Sequence, residues 1–245
     1  CRGVLKNMKK IILLSLCLIM LCGCGRNKDE LVMVTEAGFA PFEYYQNNEI
    51  VGVDVEIAKE IAKKIGKTLV IKDVAFDSII NEVKSGKADI GAAGISYTEE
   101  RSKQVDFSSD YFTSKIIVIV KDSDNEIDFN NLGTKKIAVQ LGSTADTFVT
   151  NNYKNATITR QKKYLAAIED LKNDKVDCVV MDELPAKQIL SKNTNLKILD
   201  KILSSENYGM VVKKNNKELL DMVNEVIEDL KESGKIDEYV LNYTE

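Results

Sequence analysis

Apolar runs of strand length alternate with amphipathic segments of helix length along most of this 245-residue chain. Residues 53–65, for example, place Ile57, Ile61 and Ile65 on one helical face, and Gly66 ends the pattern. This alternation predicts an α/β fold with helices flanking mostly parallel sheets. The predicted strands are 31–35, 68–72, 88–93, 114–120, 136–141, 157–159, 176–182 and 208–212, and the predicted helices are 53–65, 78–84, 144–152, 165–173, 186–192 and 217–232.

A short internal repeat indicates two similar α/β lobes. Residues 83–89, VKSGKAD, are similar to residues 171–177, LKNDKVD, at an offset of 88 residues. In both copies a predicted helix ends, a lysine-containing turn follows, and an apolar strand begins after the aspartate; chance similarity of common helix-turn-strand sequences is the alternative. Five residues beyond each aspartate lie Gly94 and Asp182, at the carboxyl ends of predicted parallel strands, where open α/β sheets bind ligands.

The first 30 residues carry an export signal. Residues 1–7 are interpreted as an upstream extension, because a basic start at 8–10 precedes an apolar run, 11–21, that is too short to span a bilayer as a helix. The run ends in LCGC, which resembles the bacterial lipobox. That resemblance implies a signal peptide over 1–23, a diacylglyceryl anchor on Cys24 and a tether over 24–30. An uncleaved anchor or an ordinary secretory signal is the alternative.

Composition excludes several function classes. The chain has no His, which excludes His-based triads, HExxH zinc sites and Cys/His zinc sites. Removing residues 1–23 removes four basic residues and no acid, so 30 basic and 38 acidic residues leave a net charge of −8, which argues against nucleic-acid binding. Cys178 lies in an apolar run and is expected to be a buried, unpaired thiol. We predict no cofactor and no metal site.

Two charged residues stand out by their positions. Thr98 is placed to cap a short helix in which Arg101 is the third residue, where a capping box would have Glu or Gln. The chain has 30 Lys and only 4 Arg, so an Arg here indicates bidentate binding of a carboxylate; a solvated charge or an internal ion pair is the alternative. Asp182 follows an apolar run and needs a cationic partner if it is buried, although it could instead cap the helix near Pro185.

Six short segments stand out along the chain: FAPFEY (39–44), VGVDV (51–55), GISYTEER (94–101), VDFS (105–108), AVQLGST (138–144) and MD (181–182). Together they resemble the polar amino acid-binding proteins of ABC importers, known as extracellular solute-binding proteins of family 3. The resemblance covers essentially all of the chain beyond the signal, and Val53 departs from the Phe or Tyr usual in the family. It implies a two-lobed, periplasmic-binding-protein-like fold of type II. Lobe 1 would comprise 31–114 and 207–245 and lobe 2 115–206, with hinge crossings near 112–117 and 204–209.

The resemblance also implies how an amino acid is held. Arg101 would bind the ligand α-carboxylate, together with the backbone N–H groups of Ser96 and Thr144. The α-ammonium would meet Asp182, the Gly94 carbonyl and the Ser96 hydroxyl. A zwitterion needs an acid and a bidentate cation close together, and Asp182 and Arg101 would supply one from each lobe.

Four further residues would face the ligand side chain. Phe39 and Phe76 would sandwich it, although by residue type alone both favour core packing. Glu36 and Gln140 would contact its polar end. A carboxylate there disfavours acidic ligands, so the expected cargo is a polar or basic L-amino acid of the glutamine, arginine, lysine, histidine or cystine class.

The sequence thus predicts a monomeric, non-enzymatic substrate-binding lipoprotein that delivers a free amino acid to an ABC permease. Its expected location is the outer face of the cell membrane, or the periplasm in a Gram-negative cell. Two alternatives share the fold: an enzyme like the cyclohexadienyl dehydratases, in which Glu36 is the candidate general acid, and an amino-acid sensor module.

Overall fold

The computed structural model describes residues 27–244, and Leu31–Glu245 form one compact unit. The predicted signal peptide (1–23) and the lipidation site Cys24 lie outside the described residues. The strands are β1 (Glu30–Thr35), β2 (Gly38–Phe39), β3 (Glu43–Gln46), β4 (Glu49–Val51), β5 (Thr68–Asp73), β6 (Ile90–Gly91), β7 (Val105–Phe107), β8 (Phe112–Lys121), β9 (Lys136–Gln140), β10 (Thr157–Gln161), β11 (Cys178–Asp182), β12 (Leu196–Ile198), β13 (Ser204–Tyr208) and β14 (Val211–Lys213). The helices are α1 (Val53–Lys64), α2 (Ile79–Lys84), α3 (Glu99–Ser102), α4 (Thr144–Asn152), α5 (Tyr164–Lys172), α6 (Glu183–Leu190), α7 (Lys217–Glu232) and α8 (Lys235–Thr244).

Two large sheets organise the unit. The first has the order β5-β1-β6-β14-β7, and the second has the order β10-β9-β11-β8-β12 with β13 also paired to β8. One continuous apolar cluster includes Met33 and Ile90 from the first sheet and Ile117 and Ala138 from the second. Cys178 is buried and, within residues 27–244, unpaired, as expected; burial raises the pKa of its thiol to about 12.

The predicted α/β architecture is confirmed, but the sheets contain less parallel pairing than the alternation indicates. Pairs β1–β6, β9–β10 and β9–β11 are parallel, whereas β14 is antiparallel to β6 and β7, and β8 is antiparallel to β11, β12 and β13. The chain passes between the sheets twice, through residues 108–111 from β7 to β8 and through residues 209–210 from β13 to β14.

The internal repeat marks equivalent turns in the two sheets. Asp89 accepts a hydrogen bond from the Val32 N–H through Oδ2 at 2.8 Å, and its own N–H donates to the Val32 carbonyl. Asp177 does the same with Lys136, accepting from its N–H at 2.7 Å and donating to its carbonyl. Each aspartate therefore fixes the strand after the repeat against a neighbouring parallel strand, β1 in the first sheet and β9 in the second, which supports a structural rather than a chance origin of the repeat.

The strand predicted over 208–212 is wrong as a single element. Strand β13 ends at Tyr208 in the second sheet, and β14 begins at Val211 in the first sheet. The chain thus changes sheets within an apolar segment that gives no local signal of a break. Strand β13 pairs with the start of β8 in the register Tyr208↔Phe112 to Ser204↔Ile116, so the two passages between the sheets run side by side.

A tight backbone contact positions β2 and the residues around it. Gly52 precedes α1 with φ +131°, and a Cβ atom there would lie 2.2 Å from the Phe42 carbonyl oxygen. The N–H groups of Val53 and Asp54 donate to the carbonyls of Pro41 and Phe42, both at 3.0 Å. Only glycine permits this close approach, which holds the loop carrying Phe39 against the start of α1.

Candidate ligand-binding site

All nine residues predicted to face a ligand line one small space between the two sheets. The walls leave a cavity of only about 10 Å³, roughly the volume that one water needs, so an amino acid fits only after the walls separate. Four further lining residues, Glu43, Ala93, Ser143 and Tyr164, were not predicted. The predicted residues that line the space are Glu36, Phe39, Phe76, Gly94, Ser96, Arg101, Gln140, Thr144 and Asp182.

Arg101 links the two sides of this space. Thr98 caps the N-terminus of α3 as predicted: its Oγ1 accepts a hydrogen bond from the Arg101 N–H at 3.1 Å. The guanidinium donates from Nη1 to the Ser96 carbonyl at 2.7 Å and from Nη2 to the Gly142 carbonyl at 3.0 Å. It also lies 5.4 Å from the centroid of the Phe76 ring. Burial lowers the pKa of Arg101, and nearby negative charges oppose that shift, yet a guanidinium stays charged.

A carboxylate that sequence reasoning missed lies beside Arg101. Oε2 of Glu206, on β13, accepts from the Ser96 hydroxyl at 2.6 Å and from the Thr144 hydroxyl at 2.5 Å. Its charge is the largest electrostatic contribution that supports the charged form of Arg101. Glu206 thus occupies the neighbourhood in which the resemblance places a ligand carboxylate. It belongs to no motif, so only the tertiary structure could reveal it.

Asp182 is buried at the end of β11, with 7% of its surface exposed. Its Oδ1 accepts from the Ser114 hydroxyl at 2.7 Å and from the Tyr208 hydroxyl. It stands at the N-cap position of α6, but its side chain makes no capping bond to that fully described helix. Burial raises the pKa of Asp182 to about 6, and the two hydroxyl donors oppose that shift. The side chain is therefore committed to the cavity wall and not to the helix.

Two more buried acids lie behind Gly94. Asp54 accepts from the Gly94 N–H at 3.0 Å and from the Tyr111 hydroxyl at 2.7 Å. Burial raises the pKa of Asp54 to about 6, and burial next to Asp54 raises the pKa of Glu43 well above its usual value. Oε2 of Glu43 has no hydrogen-bond partner in the described part of the chain. Burial beside Asp54 therefore disfavours the charged form of Glu43, which lines the cavity.

The opposite end of the space is an ion cluster. Glu36, only 2% exposed, follows β1, and its Oε2 accepts from Nε2 of Gln140 at 3.1 Å. The Lys163 ammonium lies 3.0 Å from the other oxygen, Oε1, and 3.6 Å from Oδ2 of Asp73. Burial raises the pKa of Glu36, while Lys163 and Gln140 oppose that shift. This end can therefore hold a cation between two carboxylates, beside a neutral amide.

The predicted aromatic pair is arranged differently from a sandwich in this state. Phe39 stacks on Tyr164, with ring centroids 5.7 Å apart and an interplanar angle of 25°. Phe76 instead faces the Arg101 guanidinium. Phe39 is also part of the apolar core, so core packing and wall formation are not exclusive roles for it.

Comparison with known proteins places the chain in a family. Residues 31–245 match the family model of bacterial extracellular solute-binding proteins, family 3. The chain belongs to this family. The predicted resemblance is thereby confirmed, and as a family 3 protein the chain is an extracellular or periplasmic solute-binding protein.

Individual relatives of this family 3 protein are similar over nearly their whole length. The arginine-binding extracellular protein ArtP of Bacillus subtilis is 29% identical over 245 residues, covering 94% of this chain and 96% of ArtP. The arginine-bound substrate-binding protein AbpA of Streptococcus pneumoniae has a TM-score of 0.85 and 37% identity, covering 89% and 95%. An ancestral arginine-binding protein bound to glutamine has a TM-score of 0.83 and 36% identity, covering 89% and 99%.

These similarities confirm the two-lobed α/β fold class. The lobe boundaries and the role of each of the nine lining residues stay predictions, because similarity in fold does not test them. Among residues 27–244, no helix is both long and apolar enough to cross a bilayer. The same residues contain no group of three or more acidic or Cys side chains arranged to hold a metal ion.

Proposed function

We propose that this family 3 protein captures a free L-amino acid between two lobes and delivers it to the permease subunits of an ABC transporter. The proposed lobes are 31–114 with 207–245, and 115–206. The observation that carries the proposal is the presence of half-buried Arg101 and buried Asp182 in the lining of one space between the sheets. An amino acid zwitterion would satisfy both charges, and a ligand that binds both lobes stabilises only the closed state.

The preferred cargo in this proposal is arginine, with glutamine second. Glu36 and Asp73 supply two carboxylates at the side-chain end, which suits a guanidinium, and Gln140 supplies an amide that suits either ligand. The relatives support this order, since the Streptococcus pneumoniae protein is bound to L-arginine and the ancestral protein to glutamine. Lysine, histidine and cystine are the next candidates.

Binding without catalysis is part of the proposal. The buried acids hold fixed hydrogen bonds from Ser114, Tyr208 and Tyr111, as expected of groups that position a ligand. Incubation with prephenate and arogenate, followed by their ultraviolet spectra, tests the dehydratase alternative. Appearance of an aromatic product at a rate that scales with protein concentration would contradict the binding-only proposal.

Anchoring through lipidated Cys24 and a monomeric state complete the proposal. Mass spectrometry of the mature N-terminus and membrane fractionation of a Cys24→Ala variant test the anchor. Light scattering of the unanchored protein tests the monomer. A Cys24→Ala variant that stays in the membrane fraction, or a stable dimer, would contradict these two parts without affecting ligand binding.

Ligand-dependent thermal unfolding tests the central proposal. Residues 31–245 form a compact unit, so the chain from residue 25 is suitable after unfolding and refolding to remove carried-over ligand. A ligand that binds only the folded state raises the free energy of unfolding by mass action, by about 2.7 kcal/mol at a hundred times Kd, and so raises the melting temperature. We expect the largest shift with arginine among the twenty amino acids, ornithine and cystine. No shift with any of them would overturn the proposal.

A further inference from the structure

Lys163 occupies a position that its own helix does not explain. It is the N-cap residue of α5, where Ser, Thr, Asp or Asn can accept a hydrogen bond from the first turn. Its side chain makes no capping bond to that described helix, and a cation lies unfavourably at the positive end of the helix dipole. Another interaction must therefore favour the observed placement of the ammonium.

That interaction crosses between the two sheets. Lys163 follows β10 of the second sheet, whereas its partners Glu36 and Asp73 follow β1 and end β5 of the first. The ammonium lies 3.0 Å from Glu36 and 3.6 Å from Asp73. The Lys163 side chain is 45% exposed and Glu36 is 2% exposed, so the lysine enters from the rim and ends on a buried carboxylate.

Glu36 lines the end of the cavity that suits a basic side chain, and Asp73 shares the Lys163 ammonium with it. Gln140 donates to the second oxygen of Glu36 at 3.1 Å, and Lys163 lies 3.0 Å from the first. A cation that approaches Glu36 from the cavity must therefore lie close to the Lys163 ammonium or displace it. A neutral amide does neither, because it can bond with Gln140 without replacing a charge. Two cations held at one carboxylate repel each other strongly where water is excluded.

We propose that Lys163 is a specificity-determining residue, an internal cation that competes with a cationic ligand side chain for Glu36 and Asp73. This inference rests on the proposed function. In this scheme Lys163 reduces the preference for arginine over glutamine, because an arginine gains its ion pair only by breaking one that already exists. Lys163 also ties the sheets together when no ligand is bound, through the same contact.

The decisive measurement is the ratio of glutamine and arginine dissociation constants by calorimetry, for wild type, Lys163→Gln and Lys162→Gln. Lys162 is the matched control, since it is the exposed neighbour and only its backbone carbonyl bonds to Gln140. We expect K163Q to strengthen arginine binding at least tenfold relative to glutamine, and K162Q to leave the ratio unchanged. An unchanged or reduced preference for arginine in K163Q would overturn the inference.

The two proposals fail in different ways. If the wild type binds glutamine or arginine and K163Q has the same ratio of dissociation constants, only the role of Lys163 is removed. No binding by either protein removes both proposals, whereas binding of arginine by K163Q alone supports both. Small-angle scattering of the ligand-free proteins adds an independent readout, in which K163Q should have a larger radius of gyration than K162Q. Equal radii would remove the inferred tie between the sheets.

Discussion

The Thr144 hydroxyl donates a 2.5 Å hydrogen bond to Oε2 of Glu206, so the first residue of α4 is bound to a strand that leads from one sheet to the other. Ser96 also donates its hydroxyl to this oxygen. The resemblance places the ligand carboxylate at the backbone N–H groups of these two residues, so a bound carboxylate would lie beside that of Glu206. We expect Glu206→Gln to strengthen arginine and glutamine binding by a similar factor, about threefold to tenfold. Calorimetry measures this, with Glu183→Gln as a control outside the cavity lining. A loss of affinity for both ligands would instead show that Glu206 binds their ammonium group.

Arg101→Lys should greatly weaken the binding of every amino acid. A lysine cannot reproduce the planar fork that bonds to two carbonyls and leaves further donors for a carboxylate. Losing one partner of a buried charged pair costs about 2–5 kcal/mol, so we expect at least ~30-fold weaker binding. Arg160→Lys is the matched control, because Arg160 pairs with Asp146 at 2.9 Å and does not line the cavity. Equal affinities for the two variants would remove the carboxylate role of Arg101.

Glu36→Gln should separate the ligands by charge. A buried carboxylate attracts a guanidinium but gains little from an uncharged amide. We expect the affinity for arginine to fall by about tenfold or more and the affinity for glutamine to change by less than about threefold. Isothermal titration of both ligands into one preparation checks this, and equal losses would remove the electrostatic argument for basic cargo.

Asp182→Asn should stabilise the ligand-free protein at neutral pH. Burial raises the pKa of Asp182 from 3.8 to about 6, so the folded state binds its proton more tightly than the unfolded state does. With Asp182 protonated, below pH 3.8, the fold has its full stability. As the pH rises through about 6, the buried carboxyl group ionises and the free energy of unfolding falls. Asparagine stays neutral, so we expect a gain of about 1–3 kcal/mol at pH 7.5 that shrinks toward pH 4. Thermal unfolding across this range checks the prediction. The pKa of Asp54 is also raised to about 6, but this affects the wild type and the variant equally and cancels in the difference. A stability gain that does not depend on pH would contradict the raised pKa of Asp182.

Gly52→Ala should destabilise the fold. The added Cβ would lie 2.2 Å from the Phe42 carbonyl oxygen, and φ is +131°. We expect a loss of at least about 2 kcal/mol in the free energy of unfolding. Gly133→Ala is the control, because its Cβ would meet nothing nearer than 3.8 Å. Urea denaturation of both variants measures the difference, and equal midpoints would contradict the prediction.

The sequence predicted elements well where a local pattern and the tertiary structure agree. Helix α1 follows from the apolar spacing within 53–65, and α3 follows from Thr98 at its cap. The predicted strand over 88–93 shrinks to Ile90–Gly91, and the chain turns at Gly94 (φ +53°), whose backbone lies close to Phe39. Helix α8, Lys235–Thr244, was not predicted, although it contains helix-forming residues such as Lys235, Glu238 and Leu241.

The site was predicted as far as the family resemblance extends and no further. The resemblance named nine ligand-facing residues, and the fold brings all nine to the lining of one space. Lys163 and Glu206 were missed because charged residues on a helix cap and a short strand look like ordinary surface positions. Their importance comes from their partners. Lys163 pairs with Glu36, 127 residues earlier in the chain, and Glu206 pairs with Ser96, 110 residues earlier. Such pairings depend on the relative placement of whole sheets, which no local pattern records.

The pairing of β8 with β13 has a mechanical consequence. Two separate crossings would allow the halves of the molecule to twist and shear independently, but a hydrogen-bonded ladder from Phe112↔Tyr208 to Ile116↔Ser204 makes them one ribbon. A ribbon bends readily across its faces and resists bending within its plane, which confines opening to a single rotational axis. Ser114 and Glu206 are opposite each other on that ribbon, so they would stay near that axis if the sheets separate.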